Sequence, residues 1–373
     1  MKKGDAMMWL IILAAVLAAT AAGLVYMIVC IGRFGGVQSL AGDKKWLRNL
    51  ISFLIIAVVF IIVALSMSAV NSVIVFLHFT LFFLLYGGIM RLIRHFSGKE
   101  FTVYWQGWLA IITTIIYLCV AYYLLHNVWQ TDYSLKTEKN VKLKIAMLAD
   151  SHLGTSFDGE GFAEHLKTIE AQNPDILLIP GDFVDDGSKK SDLLYACEAL
   201  GKMNLRYGVY FSYGNHDKGY FNSRDFTASE LEKALIDNGI HVMEDSYELV
   251  DDCFYIVGRK DSSFKDRKSM DEVLKGVDSE KYIIVLDHEP NDYDNEADSV
   301  ADLVVSGHTH GGQLFPVNAV GEWFNINDRT YGYEKRKDTE FIVTSGISDW
   351  EILFKTGTKS EYVIININSD TNK

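Results

Sequence analysis

Four long apolar runs occupy the first third of the chain and alternate with short polar segments. Each run is close to the roughly 20 residues that a helix needs to cross a bilayer. Four uncharged runs in succession predict transmembrane helices rather than buried helices of a soluble core. A cleavable signal peptide is the alternative for the first run, although its apolar stretch is long for one. The runs lie near Trp9–Cys30, Leu50–Val70, Val73–Met90 and Trp108–Leu125.

Beyond the apolar runs, short apolar segments alternate with polar helical stretches, which predicts an α/β fold. Residues 131–141 between the two patterns are polar and predict a linker. The expected organisation is a four-helix transmembrane region at 1–130, this linker, and a folded domain at 142–373. Five of the apolar segments are predicted strands that end in polar groups: Lys144–Leu148, Asp175–Ile179, Gly208–Ser212, Tyr282–Leu286 and Leu303–Ser306.

The two regions carry opposite net charge. Residues 1–131 contain nine Lys and Arg against three Asp and Glu, a net charge of +6. The remaining residues contain 26 against 45, a net charge of −19, and the two values sum to the −13 of the chain. An acidic folded domain argues against a nucleic-acid partner. It suits an anionic substrate only where bound cations neutralise the site.

The positive charges of the apolar region predict its orientation, because cytoplasmic loops of membrane proteins are enriched in Lys and Arg. The opposite side carries Lys2 and Lys3, near the start of the chain. The count therefore places the folded domain outside the cytoplasm. Seven basic residues lie between the first and second runs or between the third and fourth: Arg33, Lys44, Lys45, Arg48, Arg91, Arg94 and Lys99.

The polar groups that follow the five predicted strands are rich in metal-binding side chains. Residues 307–313 read GHTHGGQ, which places two imidazoles in one tight loop. Ligand sites in open α/β sheets lie beyond the carboxyl ends of the strands, so all five loops can meet at one place. Each group alone is common at surface turns, but five in succession indicate a site. Aspartate, asparagine and histidine together suit Mn, Fe or Zn better than Ca²⁺.

The order of these groups, D-x-H, GDxxD, GNHD, a later histidine and GHTH, is similar to that of the calcineurin-like metallophosphoesterase family. The similarity extends from Asp150 to Gln313. It implies a β-sandwich core flanked by helices and a site for two divalent metal ions, with Mn the expected activator in vitro. It also implies the ligands: Asp150, His152 and His310 for one ion, Asn215, His288 and His308 for the other, and Asp182 bridging both.

Two further roles follow from the same resemblance. His216 would be the catalytic histidine, which stabilises or protonates the leaving oxygen, and Asp185 would orient His216. Metal-bound hydroxide would attack phosphorus, and the two ions would stabilise both the attacking and the leaving oxygen. The resulting hypothesis is a membrane-anchored, metal-dependent phosphoric ester hydrolase that acts on a phosphate monoester or diester.

An apolar segment follows the last motif and bears on the substrate. The favoured expectation is that it packs on the core; the alternative is a lip for the acyl or prenyl part of a lipid-linked phosphate ester. Two other functions remain open, an extracellular nucleotide phosphodiesterase that is merely anchored to the membrane and a non-catalytic membrane sensor that retains the fold. The segment contains Leu314, Phe315, Pro316, Val317, Val320, Trp323 and Phe324.

Several residues near the motifs receive a structural interpretation. Arg259 and Lys260 are expected in a solvated turn, with contact to a substrate phosphate as the alternative. Asp217 is expected to cap its own loop. Cys197 and Cys253 are expected to be single thiols, although a disulfide between them is conceivable outside the cytoplasm.

Overall fold

The computed structural model describes residues 3–99, 101–221, 223–316 and 320–369. Lys2, Val317 and the last four residues of the predicted folded domain, 370–373, lie outside these ranges. The chain divides into two compact units, Met1–Ala121 and Tyr122–Lys373. The apolar runs fall in the first unit, except for the end of the fourth run, and all five motifs fall in the second.

The first unit is helical, and four of its helices are long and apolar enough to cross a membrane. Between 11% and 28% of each apolar window is buried within the protein, so most of its apolar side chains face outward. Such surfaces require a non-aqueous surrounding. Helices are therefore present at all four predicted spans, and one short helix, α2, was not predicted. The helices are α1 (Lys3–Ile31), α2 (Gly35–Ala41), α3 (Lys45–Ser66), α4 (Ala69–Ser97) and α5 (Trp105–His126).

The second unit contains two six-stranded sheets. In the first sheet, β2 to β5 are parallel, while β12 lies antiparallel to β2 and parallel to β1. The order across this sheet is β1 (Trp129–Thr137), β12 (Glu361–Ser369), β2 (Lys142–Met147), β3 (Ile176–Pro180), β4 (Val209–Ser212) and β5 (His241–Met243).

The predicted linker is largely part of this first sheet. Residues 131–137 lie in β1, which pairs with β12 over its whole length. Leu135 is buried in the core between the sheets, and Val141 packs in the same cluster. The segment is polar because most of the other β1 side chains are partly or fully exposed, so its composition resembles that of a linker although its backbone is paired.

The second sheet has parallel central strands and antiparallel edge strands. Its order is β10 (Gly332–Arg336), β11 (Thr339–Val343), β9 (Leu303–Ser306), β8 (Tyr282–Leu286), β7 (Phe254–Gly258) and β6 (Ser246–Val250). The edge strand β10 has partly exposed side chains, whereas β7, β8, β9 and β11 are buried throughout.

Alternating side chains of the central strands fill separate cores. Ile176 and Leu178 of β3 join the core between the two sheets, while Leu177 and Ile179 face the helices. In β9, Leu303 faces the first sheet and Val304 the helices on the outer side. Strands buried on both faces have few polar positions, which explains their continuous apolar sequences. The predicted β-sandwich flanked by helices is therefore confirmed.

The helices of this unit cover the outer faces of the two sheets. Those against the first sheet are α6 (Gly159–Glu170), α7 (Lys190–Gly201) and α8 (Ala228–Asp237), and those against the second are α9 (Met270–Val273) and α10 (Tyr293–Ala297). The short helix α11 (Val320–Trp323) lies in the apolar segment after the last motif. Because helices cover the outer faces of both sheets, a site can form at the loops that follow the strands.

Candidate metal centre

The loops that follow β2, β3, β4, β8 and β9 meet, so both sheets contribute to one site. Among the described residues, two groups of side chains each bring three potential ligand atoms within 4.8 Å of one another. The side-chain oxygen of Asn215 lies 2.8 Å from Nδ1 of His308 and 3.1 Å from Nε2 of His288. The first group is Asp150, His152 and His310, and the second is Asp182, His288 and His308.

Asp182 faces both groups. Its Oδ2 atom lies 3.5 Å from Nε2 of His152 and 3.2 Å from Nε2 of His288. The other oxygen, Oδ1, accepts a hydrogen bond from the backbone N–H of His216 at 2.9 Å. This is the arrangement that a bridging carboxylate requires. The structure thus brings together all seven residues expected to bind metal.

The backbone of this site is strained at many of the expected ligands. Non-glycine residues rarely adopt positive φ, and such residues cluster at functional sites where the surrounding contacts enforce the conformation. Here the loops hold one another, since His152 N–H donates to Asp182 O at 3.1 Å and His308 N–H to Asp150 Oδ1 at 2.9 Å. The residues with positive φ are Asp150, His152, Asp182, His308 and His310.

Asp217 joins the loops after β3 and β4. Its Oδ2 accepts hydrogen bonds from the N–H groups of Asp182 and Gly214, and its Oδ1 accepts from those of Phe183 and Val184, at 2.7–3.1 Å. Burial and the charge of Asp182 raise the pKa of Asp217 to about 7. The expected capping role is therefore correct, and it extends to the neighbouring loop.

Gly214 permits the close contact between these two loops. A Cβ atom at this position would lie 2.2 Å from Oδ1 of Asp182 and 2.5 Å from its backbone nitrogen. Any side chain would therefore displace Asp182, the carboxylate that both ligand groups share. This contact explains why glycine occupies the second position of the loop after β4.

The site has the electrostatics of a cation-binding centre. Burial disfavours the charged form of Asp182, but His288 and His152 outweigh it and hold the pKa of that carboxyl well below its usual range. Burial likewise opposes protonation of His152, but a hydrogen bond to Asp185 and the charge of Asp182 raise its pKa. The carboxylates therefore stabilise positive charge here, which divalent cations would supply.

His216 lies beside the first ligand group. Its ring centroid is 5.0 Å from those of His152 and Tyr220 and 5.1 Å from that of Trp350. Burial lowers the pKa of His216 to about 4. The histidine is thus within reach of a molecule bound at the centre and is flanked by two aromatic rings.

The position of Asp185 corrects its expected role. Its Oδ2 atom lies 3.3 Å from Nδ1 of His152, on the side of the ring opposite the Nε2 atom that faces Asp182. Asp185 therefore supports an expected metal ligand instead of orienting His216. The two roles are hard to separate by sequence because His152 and His216 are neighbours in space.

A sixth loop, between β11 and β12, belongs to the site and was not predicted. Oδ1 of Asp349 lies 2.9 Å from Nδ1 of His310, and the N–H of Ser348 donates to the carbonyl of Asp150 at 3.2 Å. The neighbouring Trp350 is the residue that packs against His216. No motif marks this loop. The available signal is that β11 lies next to β9 in the sheet, which brings their following loops together.

The prediction for Arg259 was wrong. The residue is 3% exposed, and its guanidinium lies 2.8 Å from Asp287, 2.7 Å from Asp292 and 3.4 Å from Glu296. It is therefore a buried ion-pair partner and neither a solvated residue nor a free phosphate ligand. Lys260 forms an ion pair at the surface.

The apolar segment after the last motif is exposed at its aromatic residues. Trp323 and Phe324 are 72% and 71% exposed, and Phe315 is 62% exposed. The favoured expectation, that these side chains pack on the core, is therefore wrong. Exposed apolar patches are typical of surfaces that bind a ligand, a partner or a lipid, and Trp323 and Phe324 are neighbours in the chain.

The donor atoms fit two divalent transition-metal ions. The Nε2 atom of His152 is buried and forms no hydrogen bond within the described part of the chain. Such orphaned atoms are rare in proteins unless a ligand or ion satisfies them. Mixed imidazole and carboxylate donors suit Mn, Fe and Zn.

Comparison with known proteins agrees with this geometry. The calcineurin-like phosphoesterase family matches residues 143–312. A metallophosphoesterase of Aquifex aeolicus is 35% identical over 191 residues, which cover 49% of this chain and 70% of that protein. The chain belongs to the calcineurin-like phosphoesterase family. The expected enzyme class, a metal-dependent phosphoester hydrolase, is thereby confirmed, and the fold of this family implies two divalent metal ions.

Two other relatives of this phosphoesterase are named as transmembrane proteins. A protein of Danio rerio, named as a transmembrane protein with metallophosphoesterase domain, is 30% identical over 274 residues. The aligned region covers 67% of this chain and 61% of the relative. A Bos taurus protein of the same name is 27% identical, and the alignment covers 51% of its length. The chain therefore spans only part of these two relatives. The four apolar helices and these relatives indicate a multi-pass membrane protein.

Proposed function

We propose that this protein is a membrane-anchored phosphoesterase that hydrolyses a phosphate monoester or diester at a two-metal centre. The observation that carries the proposal is the position of Asp182 between two groups of ligands. A single carboxylate that faces both groups suits a pair of neighbouring ions. It also accounts for the acidic domain, because the bound cations would offset the charge that otherwise repels phosphate.

The residues around the centre would have distinct roles. Two divalent cations bound there would attract the anionic phosphate and lower the pKa of a water molecule. Asp150, His152 and His310 would hold one ion, and Asn215, His288 and His308 the other, with Asp182 shared. His216 would donate a hydrogen bond to the leaving oxygen. Asp185 would fix the ring orientation of His152.

Removing expected ligands tests the proposal directly. We expect His308→Ala and Asp182→Asn each to abolish hydrolysis of a chromogenic phosphodiester by the full chain in detergent. Each variant should still fold, as judged by circular dichroism. Chelation should inactivate the unaltered enzyme, and added Mn²⁺ should restore its activity.

A matched control is His241→Ala. This partly exposed histidine pairs with Glu248 at 2.9 Å and is not among the expected ligands. It should leave activity nearly unchanged. Full activity of both ligand variants, or hydrolysis by the chelated enzyme, would contradict a two-metal mechanism. No hydrolysis of any ester despite two bound ions would instead favour a non-catalytic sensor.

We further propose that the substrate is a lipid-linked phosphate ester. Support comes from the exposed aromatic side chains of Phe315, Trp323 and Phe324, which follow the GHTHGGQ loop directly in the chain. Anchoring would also keep the enzyme at the bilayer and raise the effective concentration of a substrate in the same membrane. An enzyme for soluble nucleotides would have no use for such an exposed apolar segment.

The lipid proposal is tested by a ratio of activities. The double variant Trp323→Ala/Phe324→Ala should lower turnover of a phospholipid in mixed micelles more than turnover of a small soluble phosphodiester. Tyr195→Ala, which removes a 47% exposed aromatic residue on α7, is the control. Equal losses on both substrates would remove the lipid assignment. Preferential turnover of nucleotides would favour the alternative of an anchored nucleotide enzyme.

A further inference from the structure

The loop between β11 and β12 contains two buried charged residues in line with a ligand of the centre. Asp349 and Lys355 are both 0% exposed. Asp349 lies 2.9 Å from Nδ1 of His310, and its other oxygen lies 3.6 Å from Nζ of Lys355. We propose that Asp349, held by Lys355, is a positioning residue that orients His310 for binding of one of the two metal ions. The proposal rests on the two-metal function proposed above.

The contact with Asp349 determines which nitrogen of His310 is available. With Nδ1 against the carboxylate, Nε2 is the nitrogen that remains for a metal ion. A carboxylate behind a metal-bound imidazole fixes its tautomer, restricts its rotation and makes it a stronger ligand. His152 of the same ligand group has the corresponding contact with Asp185 at 3.3 Å.

The second ligand group is supported differently. Nδ1 of His288 lies 2.8 Å from the backbone carbonyl of Pro180, which is neutral and fixed by the main chain. Nδ1 of His308 lies 2.8 Å from the side-chain oxygen of Asn215 and 3.3 Å from Nε2 of His288, both expected ligands of the same ion. Carboxylates therefore stand behind both histidines of the first group. Loss of Asp349 should therefore weaken binding only of the ion held by the first group.

Lys355 explains how Asp349 remains charged and in place. Burial of an ammonium group is strongly unfavourable unless the group is paired and hydrogen-bonded. Its Nζ atom lies 2.5 Å from the carbonyl of Ser345 and 3.3 Å from that of Ser348, in addition to Asp349. These contacts fix the ammonium close to the carboxylate. A neutral side chain at position 355 would leave Asp349 as a buried charge with weaker support.

The test measures metal binding by the full chain in detergent, after removal of bound metal by chelation. We expect the unaltered protein to bind two Mn²⁺ ions. Asp349→Asn should bind one of them about 10–100-fold more weakly, the usual effect of removing such a support, and the other with unchanged affinity. Lys355→Met should weaken binding of the same Mn²⁺ ion, whereas Lys355→Arg should retain much of the affinity for it.

Glu361→Gln is the matched control for loss of a buried carboxylate. Glu361 is 0% exposed and accepts hydrogen bonds from Thr344 and from the backbone of Ser345, at the start of the same loop. Its hydrogen-bond partners in the described part of the chain include none of the expected ligands. Its substitution should leave both Mn²⁺ affinities within about threefold of the unaltered protein.

The outcomes separate this inference from the proposed function. Two Mn²⁺ ions bound by Asp349→Asn with unaltered affinity would overturn the positioning role and leave the two-metal function intact. Equal losses in Asp349→Asn and Glu361→Gln would also overturn it, because they would reflect general destabilisation. Failure of the unaltered protein to bind two ions would refute the proposed function itself. If Asp349→Asn does not fold, the Mn²⁺ affinities of Lys355→Met and Lys355→Arg provide the test. Unchanged Mn²⁺ binding by Lys355→Met would contradict the proposal.

Discussion

His216 differs from the other histidines of the centre in what its ring contacts. His152, His288, His308 and His310 all belong to the two ligand groups, whereas the ring of His216 packs between His152 and two aromatic side chains. Its backbone N–H also holds the shared carboxylate of Asp182. A substitution that keeps this backbone contact can therefore separate catalysis from metal binding.

We predict that His216→Asn lowers kcat by about 10²–10⁴-fold, the usual contribution of a residue that stabilises or protonates a leaving group. The Mn²⁺ content should remain two ions per chain. Steady-state kinetics and elemental analysis of the same preparation measure both quantities. A variant that loses metal along with activity would show that His216 supports the centre instead of acting on the substrate.

That the seven expected ligands lie together could be predicted, because each follows an apolar strand within a few residues and belongs to a motif of chemically suitable side chains. The partners behind them were harder to predict. Asp349 is 39 residues from His310 in sequence and has no motif around it. Arg259 and its partners Asp287 and Glu296 are 28–37 residues apart, and only the folded structure shows that they form buried ion pairs.

At the level of elements, β1 is the main difference from the sequence prediction. Its polar composition resembles that of a linker, but the strand is paired on one side and contributes buried Leu135 and partly buried Tyr133 to the core between the sheets. Strand boundaries in the catalytic unit, Tyr122–Lys373, were otherwise close to those predicted, and β8 and β9 begin and end at the predicted residues. Buried parallel strands have continuous apolar sequences, whereas an edge strand does not.

We predict that Leu135→Ala lowers the free energy of unfolding of the catalytic unit by about 2–5 kcal/mol, as expected for a buried leucine. Ser134→Ala, at an exposed position of the same strand, should change it by less than about 0.5 kcal/mol. Chemical denaturation of both variants in detergent provides the comparison. If β1 served only as a tether, the two substitutions would have equally small effects.

For the whole molecule, the open structural question is the side of the membrane on which the catalytic unit lies. The excess of Lys and Arg between the first two and the last two spans supports an extracytoplasmic position. The cysteines offer a direct test. Cys253 is an exposed free thiol of the catalytic unit, whereas Cys197 is a buried one, so the two do not form a disulfide.

We predict that a membrane-impermeant maleimide added to intact cells labels the protein at Cys253. Cys253→Ser should remove the label, and permeabilised cells should give the same level of labelling as intact ones. Labelling that appears only after permeabilisation would place the catalytic unit in the cytoplasm. That result would leave the metal centre unaffected but would reverse the predicted orientation.

The pairing of β1 with β12 also has a consequence for biosynthesis. Gln130 of β1 lies opposite Tyr362 of β12, 232 residues later in the chain. At the roughly 5–20 residues per second of translation, β1 must wait about 10–50 s after it leaves the ribosome before its partner exists. During that interval β2 also lacks its β12 neighbour, so one edge of β1 and one edge of β2 can form non-native pairs with other strands. A nascent chain stalled before β12 should therefore depend on chaperones more than the finished protein does.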